Sequence, residues 1–230
     1  MTVLFPPSYT GVSIRNLMAL KEGGVFDVSN VGSREVIDGA KAVELFAPLV
    51  RTKLPEPITT IRLTNKSYTL DAAKVIADAF KTAISNGHFA KLKTVDIADM
   101  IAGRHEDEAL AVLETVCEPL RSIKDLDEID VSDNAFGAKG IDACLALMEG
   151  QTRLQSISAC NNGISASAAE QLVGLLLKPA AADGSVPQTI KRFHFHNNMS
   201  GDGGGKAIAQ MLANPQMACL TDLRFSGTRA

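Results

Sequence analysis

Several short runs in this chain hold residue types that chemistry uses. His194 and His196 are two apart, the spacing that puts two side chains on one face of a strand. Zinc sites need three or four protein ligands, and no further His or Cys lies at a sensible distance. The plainer reading is a pair of exposed strand histidines, with no metal. The run Gly201 to Lys206, G-D-G-G-G-K, looks like a phosphate loop. It is one residue short between its outer glycines, and Ala207 stands where a magnesium-holding Ser or Thr belongs. It reads as a flexible turn from strand to helix, and no cofactor is expected. Cys117, Cys144, Cys160 and Cys219 form no C-x-x-C pair. No base is placed beside Cys160 or the Ser-Asp pairs, so no nucleophile is indicated. The run A-G-R-H-E-D-E, Ala102 to Glu108, sets Gly103 and Arg104 in a loop before a helix. Glu106, Asp107 and Glu108 suit the positive end of that helix. That leaves Arg104 as either a functional rim residue or an ordinary exposed arginine. Finally, Asn161 stands just before Asn162, and Asn197 just before Asn198.

A repeated template must position these residues. It runs apolar, two residues, apolar, one, apolar, two, Asn, one, apolar. Leu126, Ile129, Val131, Asn134 and Phe136 fill it; so do Leu154, Ile157, Ala159, Asn162 and Ile164. Partial copies start at Ile58, Leu92, Ile190 and Leu220, so the intervals are 34, 34, 28, 36 and 30 residues. This is the leucine-rich-repeat pattern, a short strand plus a helix per repeat. The expected fold is an α/β solenoid, a ribonuclease-inhibitor-like crescent with parallel strands on the concave face and helices on the convex face. Helices are expected at 35–47, 71–84, 106–120, 138–149, 166–177 and 206–212, and a loop at 179–188. Residues 1–57 would be a cap or degenerate repeat, and 58–230 about six repeats, the last incomplete. Because a solenoid end exposes apolar surface, Leu220, Leu223 and Phe225 suggest that the array continues or packs on another molecule.

Alternation along the strands sends Asp96, Asp130, Ser132, Ser158, Cys160, His194 and His196 to the concave side. With Asp127, Glu128 and Asp133 the middle of that face is acidic, which suits a basic protein surface or simply a solvated face. Asn162 fills the buried slot, where its amide satisfies backbone groups. Asn161 should point outward at the rim. The pattern alone gives it a structural reading, since Asn197 and Asn198 repeat the doublet.

Composition excludes whole classes. The chain has 230 residues, 46% hydrophobic and 21% charged, with net charge −3. This is an ordinary globular balance. Lys and Arg form no block, so neither nucleic acid nor an anionic membrane is an expected partner. No apolar run reaches the roughly 20 residues of a membrane span, and no membrane insertion is expected. The N-terminus has neither the basic start nor the apolar core of a signal peptide. Reduced thiols fit a cytosolic or nuclear setting.

The combination A-G-R-x-E-x-E, S-D-N-A-F-G, N-N-G-I-S and H-N-N-M-S-G-D, closing on S-G-T-R, resembles the Ran GTPase-activating proteins, most closely their plant and algal branch. The resemblance runs from about residue 25 to the end. It implies a crescent that binds the small GTPase Ran in its GTP form, which carries its own GTP and magnesium. It implies faster GTP hydrolysis through an activator asparagine that orients the GTPase's own glutamine. By motif that asparagine is Asn161. Arg104 matches the family's motif arginine, contributing to partner contact or site integrity and not as an inserted finger. Asp99, Asp133, Asn134 and Asn197 complete the partner-binding set, and Ran-binding proteins are further partners. A cytoplasmic location is implied, with the cytoplasmic face of the nuclear envelope for the full-length protein. Glu106 departs from members with a basic residue there, and the family's acidic tail and the plant envelope-targeting domain are not matched. The alternative is a repeat scaffold that binds a protein without catalysis.

Overall fold

The computed structural model describes residues 19–29, 34–177 and 189–229. The Pro6, Pro7 and Gly11 region and the loop expected at 179–188 lie outside them. Ten short strands are described: β1 Leu20–Lys21, β2 Val25–Asp27, β3 Val36–Ile37, β4 Thr60–Arg62, β5 Ser67–Tyr68, β6 Thr94–Asp96, β7 Glu128–Asp130, β8 Ser156–Ser158, β9 Arg192–His194 and β10 Asp222–Arg224. Eight of them form one sheet in the order β1-β2-β4-β6-β7-β8-β9-β10. All its pairings are parallel except β1 with β2. Chain order equals sheet order from β2 onward, because each return passes through helical turns, as parallel neighbours require.

Register explains the template. Phe26, Ile61, Val95, Ile129, Ile157 and Phe193 lie side by side in consecutive strands, and each is fully buried. Leu63, Ile97, Val131, Ala159 and Phe195 form the next buried row. A branched or aromatic side chain at each such position buries about 1.5–3 kcal/mol worth of apolar surface. The phenylalanines continue inward as a chain: Phe26–Phe46 at 5.2 Å, Phe46–Phe80 at 6.2 Å and Phe80–Phe89 at 5.5 Å between ring centroids.

The helices are α1 Gly39–Phe46, α2 Leu70–Ser85, α3 Glu106–Cys117, α4 Gly140–Ala143, α5 Leu145–Met148, α6 Ala166–Leu176 and α7 Gly201–Leu212. Neighbouring helices pack on one another, notably α1 on α2, α2 on α3 and α6 on α7. Asp38, Thr69 and Ser165 cap three of them by accepting from the backbone N–H three residues on.

Several expectations need correction. The helix expected at 35–47 begins only at Gly39, because Asp38 caps it and Val36–Ile37 pair with Ser67–Tyr68 in a second, two-stranded sheet. There Tyr68 is fully buried and its hydroxyl donates to the Leu63 carbonyl at 3.1 Å. The α-helix ends at Phe46, just ahead of Pro48, and the chain continues as a 3-10 turn over Ala47–Val50. The helix expected at 138–149 is instead a 3-10 turn, Gly137–Lys139, followed by α4 and α5 with a break at Cys144. That return belongs to the shortest interval and has the fewest residues to spend. The run from Gly201 to Lys206 is no flexible turn: it is the start of α7. A Cβ at Gly203 would lie 2.7 Å from Ala166 Cβ, and one at Gly204 would lie 2.2 Å from Ser200 Cβ. Glycine there lets α7 close onto its own entry loop and onto the start of α6.

Candidate functional site

Each of the middle strands ends in a turn built from the same parts. Asp96 and Asp130 each accept, through Oδ1, the backbone N–H two residues on, at 3.1 and 2.9 Å, the aspartate turn that folds the chain out of a strand. Beyond it comes the asparagine slot. Asn134 Oδ1 accepts from Met100 N at 2.9 Å, Asn162 Oδ1 from Asn134 N at 2.8 Å, and Asn198 Oδ1 from Asn162 N at 3.1 Å. Their Nδ2 groups donate to Val131, Ala159 and other strand-end carbonyls. All three side chains are buried. Each repeat thus secures the turn of its neighbour, since a buried amide without a partner costs about 1–3 kcal/mol. Asn134 was expected among the partner-binding residues; its amide is buried and engaged by backbone, so it holds the shape of the rim from within.

The residue before each slot faces out and is unusual in its backbone. Asn65, Asp99, Asp133, Asn161 and Asn197 have φ of 62°, 49°, 60°, 55° and 57°. Gly227 holds the matching place in the last repeat at 64°. Asn, Asp and Gly are the types that tolerate this left-handed region. Their backbones are also linked: the N–H of Asp99, Asp133, Asn161 and Asn197 donates to the carbonyl of Ser132, Cys160, His196 and Ser226 at 2.8–3.0 Å. The left-handed turn accounts for the residue type at Asn161, which the spacing of apolar positions left unexplained. The recurrence of Asn, Asp or Gly just ahead of the slot was the signal available in the sequence.

Along this rim the side chains join. Asn197 Nδ2 donates to Asn161 Oδ1 at 2.7 Å, and Asn161 Nδ2 donates to Asp133 Oδ1 at 2.8 Å. Further along, Arg34 forms an ion pair with Asp99, a rim residue that sequence reasoning missed because it comes from the N-terminal segment. Beside Asp133 opens a cleft of about 400 Å³, lined by Gly103, Arg104, Glu106, Asn134, Ala135 and Phe136 among others. Arg104 therefore shares a cleft with Asp133, and Asn161 joins it through the hydrogen bond to Asp133. The Arg104 side chain is 19% exposed, with Nη1 3.7 Å from Glu108 Oε1. Its Nε is buried with no hydrogen-bond partner among the described residues.

The strand face beside the rim is more mixed than an acidic patch. One register row reads Asp27, Arg62, Asp96, Asp130, Ser158, His194, Arg224. Burial, with the Asp130 charge alongside, lifts the Asp96 carboxyl to about 6. Arg192 lies 3.5 Å from Glu128 and 3.2 Å from Asp222, and Arg153 lies 3.7 Å from Asp127, which offsets much of the expected negative charge. Ser132 and Cys160, expected on this face, are nearly buried, with Ser132 Oγ accepting from Cys160 N at 3.1 Å. His194 is not the exposed histidine expected: it is half-buried and 3.0 Å from Asp222, whose carboxyl it holds low. Among the described residues no three His, Cys, Asp or Glu side chains gather as a metal site, and no helix is long and apolar enough to cross a membrane.

Fold and rim together define a repeating α/β protein that presents a row of fixed polar side chains on its loops. No family model matches the chain. It is 36% identical over 137 residues to RAN GTPase-activating protein 1 of Arabidopsis thaliana, covering 60% of this chain and 24% of that protein. It is 36% identical over 133 residues to RAN GTPase-activating protein 2 of the same plant, covering 57% and 23%. It is 28% identical over 161 residues to Ran GTPase-activating protein 1 of Xenopus laevis, covering 67% and 27%. The resemblance to plant Ran GTPase-activating proteins thus holds by alignment as well as by motif. The chain spans about a quarter of the length of these curated relatives.

Proposed function

We propose that this chain is a leucine-rich-repeat crescent that accelerates GTP hydrolysis by the small GTPase Ran, with 58–230 as its repeat array and the segment before it as a cap. The reading is supported by the curated relatives and by one observation above the rest. The motif asparagine, Asn161, is exposed on the loop rim, next to the cleft that holds the motif arginine, Arg104. In this reading Asn161 contacts the GTPase's catalytic glutamine, which positions the attacking water. Positioning alone lowers a hydrolytic barrier, because it removes the entropy of aligning the reactants. The GTPase brings nucleotide and magnesium, so the activator supplies shape and hydrogen bonds. Arg104, whose side chain stays 19% exposed beside the cleft, offers its guanidinium end to an acceptor on the GTPase. Asp99, Asp133 and Asn197 extend the contact along the rim.

A second reading, a scaffold without catalysis, is favoured by the left-handed turn, which prefers Asn, Asp or Gly at position 161 whatever the function. Single-turnover GTP hydrolysis on GTP-loaded Ran separates the two. The parent protein is expected to accelerate hydrolysis. Asn161→Gly keeps the turn and removes the amide, and is expected to lose on the order of 100-fold in rate with affinity little changed. A parent that leaves the Ran rate unchanged would leave the scaffold reading standing, and a variant as fast as an active parent would remove Asn161 from the mechanism. Arg104→Ala is expected to weaken binding and rate together.

A further inference from the structure

We propose that Asp133 and Asn197 are positioning residues that fix which way the Asn161 carboxamide faces, with Asp133 setting the polarity of the row. This rests on Asn161 being the residue that meets the GTPase. A carboxamide has two donors on nitrogen and two lone pairs on oxygen, and its two ends have nearly the same shape. Left alone on a loop rim, it can turn over and present the wrong end. A carboxylate only accepts. Asp133 Oδ1, 2.8 Å from Asn161, must therefore receive an N–H, so Nδ2 of Asn161 points to Asp133. The oxygen of Asn161 then points the other way and must be met by a donor. Asn197 Nδ2 supplies it at 2.7 Å. One acid thus orders two amides in sequence.

Each amide atom of Asn161 spends one hydrogen bond in the row and keeps one. What remains is one N–H and one lone pair, the complement of another carboxamide such as a glutamine side chain. The end of Asn161 that each partner sees is decided by Asp133. The row also shows why Asp133 is Asp where Asn161 and Asn197 are Asn. The backbone tolerates either type at all three positions, so the turn does not decide between them.

The test uses substitutions that the left-handed backbone accepts. Asp133→Asn is nearly the same shape and removes the acceptor-only anchor. The double variant Asp133→Asn/Asn197→Asp conserves net charge, side-chain volume and the number of hydrogen bonds, but moves the anchor to the other end and turns Asn161 over. Asn161 side-chain amide protons, observed by NMR, are expected to show contacts to residue 133 in the parent and to residue 197 in the double variant. Melting temperatures of parent and double variant are expected to agree. In single-turnover hydrolysis on Ran, kcat of the double variant is expected to fall by on the order of 100-fold with KM little changed, and Asp133→Asn to fall between. An unmoved amide contact overturns the proposal. So does a double variant as fast as the parent when Asn161→Gly is slow. If the parent and Asn161→Gly react alike, the catalytic reading fails instead, and the NMR contacts alone decide the orientation.

Discussion

Asn162 shows what a single side chain does for this fold. It is fully buried, accepts from Asn134 N and donates to the Val131 carbonyl. Asn162→Ala would leave the Asn134 N–H without its acceptor, at about 1–3 kcal/mol, while the Val131 carbonyl keeps the Asn134 Nδ2 donor at 2.9 Å. A melting temperature lower by roughly 2–12 °C is expected, at about 2–4 °C per kcal/mol for a chain of this size, and thermal denaturation measures it. Asp96 works in the opposite direction. Its carboxyl is raised to about 6 by burial and by Asp130, so the folded state holds a proton there that the unfolded chain has lost. Its contribution therefore favours folding least above pH 6, and that penalty is relieved as pH falls toward 4. Asp96→Asn keeps an oxygen for the Ala98 N–H and removes the buried charge. It is expected to stabilise the protein at pH 7–8 by about 1–3 kcal/mol and to flatten the change in stability between pH 4 and 6. Denaturant titrations of both forms across that range give the difference directly. The buried slot at Asn162 was legible in the sequence, because it recurs with the apolar positions. The elevated carboxyl of Asp96 was not, since it comes from burial in the assembled sheet, with Asp130 brought alongside by the next strand.

Among the elements, the apolar spacing located the strands and most helices, and it failed where a contact between elements outweighed local preference. The glycines opening α7 are poor helix formers, worth roughly 1 kcal/mol each against Ala, and taken alone they read as a loop. The packing of α7 on Ala166 and Ser200 reverses that preference. Gly204→Ala should therefore destabilise the protein although it raises helix propensity, because its Cβ would meet Ser200 Cβ at 2.2 Å; about 1–3 kcal/mol is expected. Gly205, whose Cβ position is open, is the control: Gly205→Ala should be neutral or stabilising. A melting experiment that ranks the two the other way would remove the packing argument. The same limit hid strands β3 and β5. Their pairing joins residues about 30 apart, with only two residues on each side, too little for alternation to be read. It also hid the rim, where Arg34 reaches Asp99.

At the scale of the whole molecule, the ordered sheet and the linked turns tie one repeat to the next. The molecule is also nearly silent to light. The chain has no tryptophan and two tyrosines, and one of them, Tyr68, is fully buried with its hydroxyl bonded to the Leu63 carbonyl. Burial holds that phenol well above its ordinary range, with the Asp27 charge adding to the effect. The folded state therefore keeps the Tyr68 proton at a pH where the unfolded chain would release it, and stability drains away as pH rises above 10. Tyrosinate absorbance from Tyr68 is expected to rise in base only together with loss of helical circular dichroism. In neutral solution, excitation at the red edge of the tyrosine band leaves this protein dark, so any emission in a mixture belongs to a tryptophan-bearing partner. Association can then be followed from the partner's own fluorescence, with neither molecule labelled.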